Sequence, residues 1–155
     1  QGLALGADLP VIAVSNLTAM AQAAFELHQA ENVAAAIDAR MNEVYFSKLK
    51  REKVRSELGE FFQWNPVIEE QVCQPEKVLE QFSDLTAYRV GTGWAAYPQF
   101  KDSGLEGSDI ILPSAQYMLE LALTDYAQNK VISALEIEPV YLRNEVTWKK
   151  LPGRE

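Results

Sequence analysis

The chain contains a single cysteine, Cys73, and a single histidine, His28, among its 155 residues. One cysteine cannot form an internal disulfide, which fits a reducing compartment. We interpret Cys73, which has no histidine near it in sequence, as an inert and half-buried thiol. One histidine cannot supply the paired ligands of a zinc peptidase, so we interpret His28 as a surface or helix-end residue. The sequence therefore predicts no metal site and no catalytic thiol.

Long apolar runs and an excess of positive charge are also missing. No run approaches the roughly 20 residues of a transmembrane helix, and the first residues do not have the pattern of a signal peptide. Fourteen basic residues stand against 22 acidic ones, a formal net charge of −8, which disfavours nucleic-acid binding by the domain as a whole. Hydrophobic residues make up 48% of the chain, enough for a packed core. We expect a cytoplasmic domain without membrane attachment.

The first residues have the pattern of a helix end. Gln1, Leu3, Ala4 and Leu5 fit the last turn of a helix that stops at Gly6. Because a domain rarely begins on the final turn of a helix, we expect this chain to be a fragment whose N-terminal part is missing.

Strand and helix patterns then alternate along the chain. In chain order we predict a strand over 9–14, a helix over 16–30 capped by Ser15 or Asn16, strands over 33–37, 43–49 and 54–62, a break at Asn65 and Pro66, an extended piece over 67–72, a helix from Pro75, a strand over 87–90, a short helix or irregular segment over 94–101, a strand over 109–112, a helix from Ser114 to about Lys130, and an extended tail over 139–155. This order predicts an α/β fold, with a mixed sheet and flanking helices.

The stretch 32–53 is the centre of this pattern, because two β-rich runs flank a short polar break and read as a hairpin. Asp38 lies where the first strand meets the turn. In nucleotide-binding folds of the actin type, such a hairpin wraps phosphates with an aspartate followed by glycines, whose bare backbone approaches the anion. Here Ala39, Arg40 and Met41 follow instead. We therefore interpret Asp38 as a turn cap that pairs with Arg40 or a backbone N–H, against the alternative that it positions a metal or a water.

The segment Gly91-Thr92-Gly93 follows a predicted strand, where related folds hold adenosine. A lone G-x-G is a weak signal, and Trp94 directly after it would fill the space that a purine needs. We interpret the segment as a tight strand-to-helix turn and predict no cofactor site.

A basic cluster, a pair of acids and the tail carry the remaining charged candidates. The cluster lies at a predicted hairpin tip and consists of Lys48, Lys50, Arg51, Lys53 and Arg55. It could contact nucleic-acid phosphate or an acidic partner, but interleaved acids and the lack of stacking aromatics favour protection of an edge strand. Glu69 and Glu70 are interpreted as a solvated face. In the tail, two roles stay open, partner docking or anchoring onto the lobe, for Tyr141, Arg143, Trp148, Lys149 and Lys150.

Five segments carry a resemblance to the TsaB (YeaZ) family: QGLALGADLPVIAVS at 1–15, AIDARMNEVYF at 36–46, VGTGW at 90–94, LPSA at 112–115 and EPVYLRNEVTWKKLPG at 138–153. The resemblance covers nearly the whole chain. It implies the second lobe of an actin-like ATPase (ASKHA, RNase H-like) fold over 31–138. It also implies that 1–30 hold the last strand and crossover helix of the first lobe, and that 139–155 form a C-terminal extended tail.

The resemblance implies a function as well. TsaB proteins are cytoplasmic partners of TsaD and, with TsaE, help to make N6-threonylcarbamoyladenosine at position 37 of tRNA. The implied role is a non-catalytic scaffold, with no catalytic residue, no cofactor, and tRNA contacted only through the complex. The alternative is an active nucleotide-dependent enzyme or an M22 glycoprotease-like peptidase whose key residues lie in the missing lobe.

A chain without its first lobe would leave Val11, Ile12, Leu17 and Met20 uncovered, so we further expect homodimer formation or self-association through the N-terminal strand and helix. The resemblance implies that TsaD docks mainly through helices of the first lobe, so the fragment itself is expected not to bind TsaD.

Overall fold

Four strands form the sheet that organises this molecule, for which a computed structural model describes residues 1–56 and 59–143. Within that part, the strands are β1 (Asn32–Arg40), β2 (Glu43–Ser56), β3 (Gly59–Cys73) and β4 (Tyr88–Val90). Their order is β3-β2-β1-β4; the first three are antiparallel neighbours, and β4 is parallel to β1. The mixed sheet of the predicted α/β class is therefore present.

Helices cover both faces of this sheet: α2 (Asn16–His28) and α6 (Met118–Ala127) on one side, and α3 (Pro75–Gln81), α4 (Gly93–Ala96) and α5 (Pro98–Asp102) on the other. The short helix α1 (Gly2–Gly6) buries no residue, and a 3-10 turn lies at Ala115–Tyr117. Ser15 caps α2 as predicted, since its Oγ accepts from the backbone N–H groups of Leu17 and Thr18. Ser114 Oγ likewise accepts from Gln116 N–H at the 3-10 turn.

Strand β1 is buried on both sides, which explains its run of small apolar residues. Val33 and Ala35 pack with the core on the α2 side, and Ala34 and Ala36 pack with the core on the other side. This alternation is the two-residue period of a strand. Alanine on β1 and α2 lets their backbones approach closely, and Leu17 and Met20 of α2 are fully covered there. The expectation that Leu17 and Met20 are left uncovered is therefore wrong.

Aromatic rings fill the opposite core. Phe46 of β2, Phe82, Trp94 and Phe100 are buried and lie with ring centroids 4.9 to 6.2 Å apart in tilted or edge-on pairs. Such geometries are the favoured ones for aromatic pairs. This core holds α4 and α5 against the sheet.

Strands β2 and β3 are longer than predicted, and the separate strand predicted over 54–62 is wrong, because β2 continues to Ser56 and β3 begins at Gly59. The break expected at Asn65 and Pro66 is wrong, because both residues lie within β3, where Pro66 pairs with Leu49. Strand β3 is at the sheet edge, and an edge strand tolerates a proline that a central strand would not. A register shift between Lys48 and Leu49 accompanies it.

Two predicted strands and one helix end differ in the structure. Residues 9–14 form only a single bridge, Val11 to Ile132, and find no further strand in the described residues to pair with. Residues 109–112 are not a strand, although Ile110 O accepts from Gly91 N–H near the end of β4. The last helix, predicted to about Lys130, ends at Ala127.

A buried polar network joins α2, β3 and α6. Gln22 is 2% exposed; its Oε1 accepts from Trp64 Nε1–H at 2.9 Å, and its Nε2–H donates to Glu120 Oε2 at 2.7 Å. The guanidinium of Arg51 lies 3.8 Å from Glu120. It is also sandwiched between the rings of Phe25 and Phe62, at 3.6 and 3.7 Å from their centroids. Burial lowers the pKa of Arg51.

Candidate functional site

Two turns meet at one end of the sheet, and both carry residues that the sequence singled out. The β1–β2 turn contains Asp38, and the β4–α4 turn contains Gly91-Thr92-Gly93. The backbone N–H of Asp38 donates to Thr92 Oγ1 at 3.1 Å. The structure therefore brings these two predicted sites together.

The β1–β2 turn is a two-residue hairpin loop of Met41 and Asn42, because Arg40 pairs with Glu43 on either side of it. The register shifts between Asp38 and Arg40, so Ala39 forms a bulge. Arg40, Met41 and Asn42 have φ angles of 64°, 56° and 60°. Positive φ at both loop residues is the requirement of a type I′ turn. For a non-glycine residue this conformation costs roughly 1–2 kcal/mol.

Asp38 caps this turn, as predicted. Its Oδ1 accepts from Arg40 N–H at 2.9 Å, and its Oδ2 lies 3.2 Å from the Arg40 guanidinium. Tyr97 O–H donates to Oδ1 at 2.8 Å. The Arg40 N–H bond first, and then the Tyr97 hydroxyl, hold the pKa of Asp38 below its ordinary value. In turn, burial and the Asp38 carboxylate raise the pKa of Tyr97.

A second ionic contact holds the other side of the turn. Arg143 pairs with the Glu43 carboxylate, and its guanidinium lies 3.4 Å from Arg40 O. Both side chains are largely covered, at 17% and 29% exposure. Of the predicted tail residues, Arg143 thus has an anchoring contact, while Tyr141 is exposed and Trp148, Lys149 and Lys150 lie outside the described residues.

The β4–α4 turn is packed against β1 without space between the backbones. A Cβ on Gly91, whose φ is +105°, would lie 2.1 Å from Ala36 O, and one on Gly93 would lie 2.9 Å from the same carbonyl group. Trp94 follows in the aromatic core at 1% exposure, with Nε1–H donating to Val90 O at 3.0 Å. The prediction of a tight strand-to-helix turn is confirmed; that Trp94 takes the space of a purine stays a prediction.

Other predicted residues have structural partners. His28 is the last residue of α2, stacks on Tyr88 and lies 3.4 Å from Asp109. Cys73 is buried, and burial raises the pKa of its thiol. Glu69 is exposed, but Glu70 accepts a hydrogen bond from Ser15 at the start of α2. The solvated-face interpretation therefore holds for Glu69 and is wrong for Glu70, because the helix N-terminus favours a carboxylate.

The basic cluster does not form a hairpin tip, because β2 continues through it to Ser56. Lys48 pairs with Asp84 at 2.8 Å, Arg51 lies beside Glu120, and Lys53 and Arg55 pair with Glu60. The turn predicted after Leu49 is absent, but from Arg51 to Ser56 strand β2 pairs only with β3 and forms an edge of the sheet, so edge protection stays a prediction for Lys53 and Arg55. Pairing with nearby acids explains how so many charges are accommodated along it.

Sequence reasoning missed Tyr97, and it missed the contacts that Thr92 makes with Asp38 and Arg143 makes with Glu43. Their contacts to the β1–β2 turn span 54 to 103 residues of sequence, so no local pattern marks them. In the described residues no group of three or more acids, histidines or cysteines is placed to hold a metal ion. No helix among them has the length and apolar character needed to cross a membrane. A cavity of about 320 Å³ opens between Ser15, Asn65 and Lys130, away from Asp38.

Comparisons with known proteins agree with the resemblance. A protein-family model described as "TsaD: tRNA N6-adenosine threonylcarbamoyltransferase" matches residues 1–145. A curated relative from Haemophilus influenzae, named "tRNA threonylcarbamoyladenosine biosynthesis protein TsaB", is 74% identical over 155 residues. One of the same name from Escherichia coli is 46% identical over 160 residues. The chain belongs to the TsaB (YeaZ) family. Each alignment includes all of this chain and 66% of the relative, so this TsaB-family chain spans about two thirds of their length.

Solved structures place the fold with the same family. YeaZ from Pseudomonas aeruginosa superposes with a TM-score of 0.75 at 34% identity, over 90% of this chain and 64% of that one. A crystal structure described as an uncharacterised protein similar to peptidase YEAZ, also from Pseudomonas aeruginosa, gives 0.74 at 34% identity, over 92% and 63%. The predicted actin-like α/β fold is confirmed for this TsaB-family chain. The division at 30/31 and 138/139 stays a prediction.

Proposed function

We propose that this chain is part of a non-catalytic TsaB-type subunit that binds TsaD and, with TsaE, supports synthesis of N6-threonylcarbamoyladenosine on tRNA. Identity of 74% to a protein named for that pathway supports the pathway assignment. The family-model match over 1–145 supports kinship with the transferase itself. A cytoplasmic location belongs to the same proposal.

The closed β4–α4 turn is the observation that carries the non-catalytic role. Phosphate-binding turns need bare backbone N–H groups that face an open cradle. Here the two glycines of the turn pack directly against the backbone of Ala36, so the side of the turn that they form is closed. Trp94 fills the adjoining core. On the neighbouring turn, Arg40 and Met41 carry side chains where glycines would be required.

Calorimetric titration with ATP and magnesium tests this role. We expect no binding heat at submillimolar nucleotide. A variant with Arg40→Gly and Met41→Gly is the matched control, because it restores bare backbone at the β1–β2 turn but keeps Trp94. It is also expected not to bind. Micromolar nucleotide binding by the unmodified chain would contradict the non-catalytic role. It would support the alternative, an active nucleotide-dependent enzyme, which agrees with the transferase description of the matching family model.

Binding of tRNA by this chain alone is expected to be unmeasurable at physiological salt. The net charge of −8 repels a polyanion. The five residues of the basic cluster all lie within 4 Å of a carboxylate. The longest distances are 3.8 Å, from Lys50 to Glu52 and from Arg51 to Glu120. Fluorescence polarisation with labelled tRNA measures this. A salt-sensitive submicromolar signal that disappears in Lys50→Glu would contradict the expectation.

The partner assignment has its own test. We expect the protein expressed from its complete reading frame to bind TsaD in a pull-down and to restore tRNA modification in a reconstituted reaction with TsaD and TsaE. The 155-residue chain is expected to self-associate in size-exclusion chromatography with light scattering and not to capture TsaD. Exposed Leu3, Leu5 and Leu9 near its N-terminus, rather than Leu17 and Met20, are the apolar residues available for this self-association. A strictly monomeric fragment that captures TsaD would contradict it.

A further inference from the structure

Helix α6 carries apolar side chains on the side that faces away from the sheet. Its buried residues, Leu121 and Thr124, face the core and β3. On the opposite side, four apolar residues recur at the i, i+3, i+4 and i+7 spacing of one helix face. These residues, here termed the α6 stripe, are Leu119, Ala122, Leu123 and Tyr126. The three large ones are mostly exposed, at 69% for Leu119, 56% for Leu123 and 64% for Tyr126.

The described residues leave the α6 stripe uncovered. Single exposed leucines are normal on a protein surface, but the solvent-facing side of a helix is ordinarily polar. A continuous row of large apolar side chains indicates contact with another apolar surface. The stripe therefore has the character of an interface.

The charges of α6 narrow the kind of partner. The helix contains no basic residue, and its two acids, Glu120 and Asp125, flank the stripe. Both acids have a basic neighbour in this chain at 3.8 Å, Arg51 for the first and Lys130 for the second. An anionic lipid surface or a nucleic acid would require an excess of positive charge on α6, and a basic peptide would find both acids already paired. The partner surface is therefore apolar and uncharged at its centre, as the α6 stripe itself is.

The order of residues along the stripe is symmetric about its midpoint, which lies between Ala122 and Leu123. Leu119 and Tyr126 are equally far from this midpoint, on either side of it. If two copies of α6 pair antiparallel about a twofold axis at the midpoint, Leu119 of one copy meets Tyr126 of the other, and the two Leu123 side chains meet at the axis. Ala122 is small enough to let the two helices approach closely there. The stripe is thus complementary to itself.

We propose that the α6 stripe is a twofold interface between two copies of this protein. Its three large side chains offer roughly 350 Å² per copy, about half of the ~800 Å² that each partner buries in a standard interface. The dimer is therefore weak and reversible, with a dissociation constant of about tens of micromolar. This contact is separate from that of Leu3, Leu5 and Leu9, and it requires neither TsaD nor tRNA, so it fails or holds independently of the proposed function.

Sedimentation velocity of the protein expressed from its complete reading frame, from about 1 to about 300 µM, tests the dimer. Leu123→Glu places two carboxylates together at the axis and is expected to weaken association at least about tenfold. Leu123→Lys is expected to do the same, because it places two ammonium groups there. An equimolar mixture of the two variants is expected to associate again through opposite charges. A thermal melt checks folding, which substitution at this exposed position should leave unchanged.

Two matched controls replace other exposed leucines with the same charge. Leu85→Glu removes a leucine that is 66% exposed and lies outside α6, and Leu5→Glu removes one in α1 that is 54% exposed. Both variants are expected to associate as the unmodified protein does. A second measurement is hydrogen exchange, in which the amides of α6 should exchange more slowly as the concentration of unmodified protein rises, but not in Leu123→Glu.

Three results would overturn the proposal. The first is a monomer over the whole concentration range, with α6 exchange independent of concentration. The second is association that Leu5→Glu abolishes and Leu123→Glu leaves intact, which would assign it to the N-terminal leucines. The third is a mixture of Leu123→Glu and Leu123→Lys that stays monomeric, because the two residues would then not meet at an axis.

Discussion

The β1–β2 turn and the β4–α4 turn lie side by side, but they place glycine differently. The β1–β2 turn has three consecutive left-handed residues and no glycine. The β4–α4 turn has one left-handed residue, Gly91, and a second glycine with ordinary φ, Gly93. Both glycines lie where a Cβ would strike Ala36. At these two turns, therefore, close backbone contact rather than φ alone determines where glycine is needed.

The two turns consequently differ in what they can present. The β4–α4 turn faces inward and is part of the packing between β1 and the aromatic core. The β1–β2 turn directs Arg40 and Met41 to the surface and is stabilised by polar contacts beneath them. Substitutions in the β4–α4 turn should act on stability through backbone packing, whereas substitutions in the β1–β2 turn should act on it through the polar contacts of Asp38.

Gly91→Ala should have the largest effect and is the sharpest test of this difference. Its Cβ would lie 2.1 Å from Ala36 O on a backbone with φ +105°, so either β1 or the turn must move. We expect a loss of roughly 4 kcal/mol or more in the free energy of unfolding. Urea denaturation followed by circular dichroism measures it. Gly104→Ala is the control, because Gly104 also has positive φ but no neighbouring atom within 4 Å, and should cost much less.

Asp38→Ala should have an intermediate effect. It removes the acceptor for Arg40 N–H and Tyr97 O–H, a loss of about 2 kcal/mol for a charged acceptor with two donors. We expect stability to change more than activity. Asp38→Asn keeps an acceptor oxygen and should recover part of the loss. If the melting temperature stays unchanged while tRNA modification by the reconstituted complex is abolished, Asp38 acts in the reaction rather than as a turn cap, and the prediction is wrong.

Acid should produce the smallest and most gradual effect. Folding lowers the pKa of Asp38, chiefly through the Arg40 N–H bond, and that of Asp84, chiefly through Lys48. The folded state therefore binds these protons less readily than the unfolded chain, whose ordinary value is 3.8. Stability from both carboxylates is present above about pH 4 and is lost as the pH falls through the lower folded values. Urea midpoints between pH 6 and pH 2 measure the slope, which should be shallower in Asp38→Asn.

The sequence predicted the elements whose signals are local. Alternation and capping located β1, the Ser15-capped helix and the Pro75 helix, and the absence of glycine after Asp38 indicated a turn cap. Trp94 was expected, from its size, to fill the space that a purine would need; its place in the aromatic core was not predicted. These features depend on neighbours within a few residues.

Features that depend on distant partners were predicted poorly. Charged residues suggested that β2 stops near Lys48, but Asp84 and Glu60 neutralise lysines within the strand. Pro66 suggested a break because edge position is not visible in sequence. The strand predicted over 9–14 requires a neighbouring strand, and the described residues offer only Ile132. Tyr97 reaches Asp38 only after α4 and α5 have folded against the aromatic core.

Helix α6 depends on the buried polar network for its attachment. Only Leu121 and Thr124 of its ten residues are buried. Glu120 contacts Gln22 and Arg51, and Thr124 O–H donates to Phe62 O. Because such bonds add little net stability when water can replace them, we expect α6 to open more readily than the sheet. Its amide protons should therefore exchange with solvent before those of α2 and β1.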